Sequence, residues 1–103
     1  MTIQDIIANL KSTLQKLADA GIDDRSARDL QTLVLDSEGA LVEAAFDPLK
    51  EIDSVTVPDI SQLPGLMAQV QTAIDTQKAT NDIVGKIIST AKLGLKAAGV
   101  PIP

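Results

Sequence analysis

Apolar residues recur in alternating steps of three and four along most of this chain. The longest such series is Met67, Val70, Ile74, Gln77, Asn81, Val84, Ile88, Ala91, Leu95 and Ala98, and it extends back through Leu63 to Ile60. A mean spacing of 3.5 residues is the seam of a left-handed helix-packing repeat. Pro64 suits a first helical turn, and Gly99 followed by Pro101 suits a stop. The pattern therefore predicts one helix over 62–98, about 50 Å long at 1.5 Å per residue. Lys92 and Lys96 would sit in its last turns, where the helix dipole favours cations.

A second series, Ile3, Ile7, Leu10, Leu14 and Leu17, predicts a helix over 3–20. Thr2 is a fitting N-cap, with Asp5 in the first turn. Gly21 is a fitting C′ residue, because glycine adopts the left-handed conformation that ends a helix. Asp23 or Asp24 then caps a helix over 24–46, with Ala27, Leu30, Val34, Ser37 and Leu41 on its stripe. Asp36-Ser37-Glu38-Gly39 is also a reasonable type I turn. That leaves an α+β alternative with a hairpin at 31–44. One helix is favoured, because the seven-residue step from Val34 to Leu41 is kept across the suspected turn. Asp47-Pro48 restarts a short helix over 48–53. The tail, 99–103, is expected to be mobile.

These elements predict an all-α fold. It is a single helical domain spanning 1–103, an antiparallel bundle of two shorter helices and one long C-terminal helix. The long helix would overhang its partners, leaving Val84, Ile88, Ala91 and Leu95 uncovered. Each large aliphatic side chain left in water forgoes about 1.5–3 kcal/mol. A second copy of the chain would cover them, so these four residues are the expected interface of a homodimer. Gln77 and Asn81 interrupt the seam with amides. Buried, they would fix the register of the packing, since an unpaired buried amide is costly. Alternatively this stretch faces solvent or a loop, and the seam is two shorter contacts.

Composition narrows the chemistry. The chain has 103 residues, no Cys and no His, and Phe46 is its only aromatic residue. Disulfides, thiolate metal sites, a cysteine nucleophile and the commonest general base are all excluded. The net charge of −5 is unevenly spread. Residues 23–57 hold nine acids and three bases, whereas residues 58–103 hold three acids and four bases. Clustered Lys and Arg are lacking, so no nucleic acid is expected as a partner. No apolar run reaches the ~20 residues of a membrane span. The N-terminal segment lacks a signal-peptide h-region, which points to a cytoplasmic protein, with leaderless export as the alternative.

Three short patterns invite a catalytic or ligand reading, and each has a blander one. Asp36, Glu38, Glu43 and Asp47 lack the loop spacing of a calcium hand. Asp36 and Glu38 are two residues apart and would not share a helix face, so a solvated acidic surface is favoured. Ser89-Thr90-Ala91-Lys92 fits S-x-x-K but lacks the accompanying motifs of serine–lysine acyl enzymes. Gly85-Lys86 is no phosphate loop, because Thr80 and Ile87 stand where the first Gly and the Ser/Thr belong. Residues 83–98 are basic and amphipathic, as an interfacial membrane helix would be, but three lysines and no Trp argue against strong membrane affinity and an ordinary bundle helix is favoured.

No catalytic, metal or cofactor residues are therefore expected. The sequence reads as a non-enzymatic protein–protein interaction or assembly module acting as a homo-oligomer. Another protein is a possible second partner, docking on the acidic face of the second helix or on the segment 55–63. The rival classes are a secreted or membrane-acting effector or filament subunit, and an immunity or regulatory bundle.

Overall fold

The computed structural model of the protein describes residues 3–43 and 62–97. They form four helices: α1 Ile3–Asp19, α2 Arg25–Glu43, α3 Leu63–Asp75 and α4 Asn81–Ala97. No strand occurs among the described residues, and the fold is all-α. The hairpin alternative at 31–44 gives way to helix, since α2 runs unbroken through Gly39. Ser37 lies fully buried on its inner stripe, and its hydroxyl donates to the Leu33 carbonyl (2.7 Å). That bond satisfies a polar group the core would otherwise penalise. Thr13 does the same in α1, donating to the Asn9 carbonyl (2.9 Å). The expected helix over 48–53, the segment 44–61 around it and the tail 99–103 lie outside the described residues.

The turn between α1 and α2 follows its sequence signals. Gly21 takes the left-handed conformation, with φ of 74°. Its amide donates to the Ala18 carbonyl (3.0 Å), and the Ile22 amide donates to the Leu17 carbonyl (2.9 Å). This pair of bonds is the Schellman motif, and it satisfies carbonyls that the helix end leaves open. Asp24 then caps α2. Its carboxylate accepts from the Ala27 amide (3.0 Å) and from the Ser26 hydroxyl (2.6 Å).

The single helix expected over 62–98 is instead two helices, and this is the main correction. α3 ends at Asp75 and α4 begins at Asn81. The Thr76 hydroxyl closes α3 by donating to the Thr72 carbonyl (2.8 Å). The Gln77 amide donates to the Ile74 carbonyl (3.2 Å), and the Lys78 amide donates to the Ala73 carbonyl (2.8 Å). The motif is the one seen at Gly21, built here on a glutamine with φ of 58°. A left-handed residue other than glycine costs roughly 1–2 kcal/mol. Folding back offsets that cost. Val84, Ile87, Ala91 and Leu95 all reach 0% exposure. Each large aliphatic side chain taken from water contributes about 1.5–3 kcal/mol, so several together outweigh one strained residue.

The two helical hairpins pack on each other. α2 lies against α1 and α4, and α3 lies against α4 and α1. α1 also meets α4 across the middle, while α2 and α3 are the pair that stays apart. Ile6, Leu10, Leu17, Leu30, Leu63, Val70, Val84, Ile87 and Leu95 form a core with no exposure. The buried stripe of the C-terminal pair is rotated slightly from the expected seam. Leu66 and Ala73 are buried in α3, while Met67 and Ile74 are only partly so. In α4, Ile87 is buried while Ile88 is half-covered.

Candidate functional site

The described surface carries two largely exposed leucines, Leu35 at 62% and Leu93 at 53%. Leu35 stands at the edge of a groove of about 770 Å³ between α1 and α2. The apolar lining comes from Leu14 and Ala18 of α1, Ile22 of the turn, and Ala27 and Val34 of α2. Leu14, Ala27 and Val34 belong to the inward stripes, and Ala18 and Ile22 lie beside them. They line the crease where two amphipathic helices diverge toward solvent.

Ion pairs mark both ends of the groove. Lys11 of α1 meets Glu38 of α2 at 3.3 Å. At the turn, Arg28 donates through Nε and Nη2 to the two carboxylate oxygens of Asp23, at 3.2 and 3.3 Å. That fork of hydrogen bonds, with the guanidinium charge behind it, lowers the Asp23 pKa and raises that of Arg28. Asp24 is also lowered, chiefly by the Ser26 hydroxyl and then by the Ala27 amide. Each of these charges has a structural partner. Exposed pairs of this kind contribute little to stability, so they orient the rim more than they hold the fold.

The residues singled out from the sequence fall elsewhere. Val84, Ala91 and Leu95 are buried by the chain's own helices, so the uncovered stripe expected of a single long helix is not present. Ile88 is half-buried in a smaller groove between α2 and α4, beside Asp29, Asp36 and Lys92. Gln77 forms the turn and Asn81 opens α4, both exposed, so they make no buried polar layer. The solvent-or-loop reading of this stretch is the one that holds. Leu35 was missed because it falls off the three–four stripe of α2, where a lone apolar residue gives no periodic signal.

The candidate chemical motifs do not assemble among the described residues; Asp47 of the acidic group lies outside them. Ser89 lines a groove between α3 and α4, whereas Lys92 lines the one between α2 and α4. Asp36 and Glu38 likewise point into different grooves. Among the described residues no three acidic groups are grouped to hold a metal ion. No helix among them is long and apolar enough to cross a membrane. Comparison of the chain with protein-family models, with curated proteins and with solved structures finds no match.

Proposed function

We propose that this protein is a non-enzymatic helical interaction module that self-associates through its α1–α2 face. Leu35 carries this reading. It protrudes, 62% exposed, beside an apolar recess on the same surface. A projection and a hollow on one face are self-complementary, because a two-fold axis sets each Leu35 into the other copy's recess. Charge does not oppose the contact locally. Lys11 and Arg28 on the rim balance Glu38 and Asp23, although the whole chain is at −5. Full burial of a leucine side chain contributes about 1.5–3 kcal/mol, and a two-fold contact counts it twice. The non-enzymatic part rests on the sequence, which has neither His nor Cys to supply the commonest base or thiolate.

Size-exclusion chromatography with light scattering tests the proposal. Purified without unfolding, the chain is expected to run as a rapidly equilibrating, concentration-dependent dimer, and Leu35→Asp as a monomer with unchanged helical circular dichroism. A never-unfolded Leu35→Asp protein of the same mass as wild type would overturn it, as would a never-unfolded wild-type chain monomeric at every concentration.

A further inference from the structure

The turn between α3 and α4 has an unusual relation to the sequence around it. Its residues, Thr76, Gln77, Lys78, Ala79 and Thr80, include neither glycine nor proline. Nothing in them forbids a helix. The three–four spacing that starts at Met67 also passes through Gln77 and Asn81 without losing register. The turn is held by a left-handed Gln77, at the position that the α1–α2 turn fills with Gly21. We propose that this turn is a hinge, and that two copies of the chain exchange α4 through it.

The geometry of the exchange follows from helical periodicity. Ala73 is the last buried residue of α3 and Val84 the first apolar buried residue of α4. They are eleven residues apart, very nearly three full turns at 3.6 residues each. Straightened, the segment becomes one rod of about 50 Å with both buried stripes on the same side. Its first half stays seated on its own α1. Its second half reaches a second copy and takes the place of that copy's α4. Val84, Ile87, Ala91 and Leu95 then meet the same α1 and α2 side chains as before, now from another chain. Only the turn changes: Gln77 leaves the left-handed region, the amides of Gln77 and Lys78 exchange their turn partners for helical ones, and those of 79 and 80 gain helical partners. The association cost opposes this, so the exchanged dimer is favoured by concentration.

This site is independent of the α1–α2 face, and the experiment separates the two. The full chain is refolded at high concentration and sized by light scattering. It is expected to give monomer and a slowly interconverting dimer that persists in Leu35→Asp. Gln77→Gly, which removes the left-handed strain without disturbing the core, is expected to lower the dimer's equilibrium constant by about tenfold or more, because each dimer opens two turns. Hydrogen exchange on the dimer is expected to show amides 79 and 80 protected relative to the monomer. A dimer population indifferent to Gln77→Gly would overturn the proposal. So would a dimer in which amides 79 and 80 exchange as fast as in the monomer, or a refolded chain containing no such dimer.

Discussion

Two turns of this molecule use the same hydrogen-bond motif and reach it by different routes. At α1–α2 the left-handed position is Gly21, the bond from Ile22 to Leu17 joins two apolar residues, and Asp24 caps the helix that follows. At α3–α4 the left-handed position is Gln77, and the matching bond joins Lys78 to Ala73. The first turn is written locally, since each residue prefers what it is asked to do. The second is imposed from outside, by a core that gains more from four buried residues of α4 than the glutamine loses. The difference teaches that a turn can be specified by the place its second helix must reach, with no breaker residue to announce it.

The most damaging way to test this is to remove the force that folds the second hairpin. Leu95→Ala takes a fully buried side chain from α4. It is expected to cost about 2–5 kcal/mol, measured by urea unfolding, as other core truncations do. A loss under about 1 kcal/mol would mean that α4 is not held by its core seat.

Swapping the two left-handed residues sharpens the comparison. A Cβ placed at Gly21 meets no atom within 4 Å, so the cost of Gly21→Ala is conformational and not steric. It is expected to destabilise by roughly 1–2 kcal/mol. Gln77→Gly is the mirror change, expected to stabilise the monomer by about 1 kcal/mol. Equal signs for the two substitutions in thermal melts would break the parallel.

The smallest effect is titration of the first turn. The Asp24 pKa is lowered by the Ser26 hydroxyl and the Ala27 amide, and that of Asp23 by Arg28. Groups depressed on folding stabilise above their unfolded pKa of about 3.9, and that contribution is lost as pH falls through the folded values. Stability is therefore expected to fall on acidification below about pH 4. Asp24→Asn keeps a good cap without the charge, so it should flatten this slope while changing stability at neutral pH by less than about 0.5 kcal/mol. An unaltered acid slope would show that the cap does not produce it.

The sequence alone determined the helical class, the hairpin at Gly21 and the inner stripes of α1 and α2. These follow from residue spacing and from residues whose backbone preferences agree with their neighbours. It also placed Val84, Ala91 and Leu95 on a face that must leave water, but it could not say whose surface would cover them. The tertiary structure decided that, together with the break at Gln77 and the exposure of Leu35. Periodicity records which face of a helix is apolar and is silent on length and direction. A strained turn is chosen only when the burial it permits exceeds its cost, and that balance exists only once distant helices are in place.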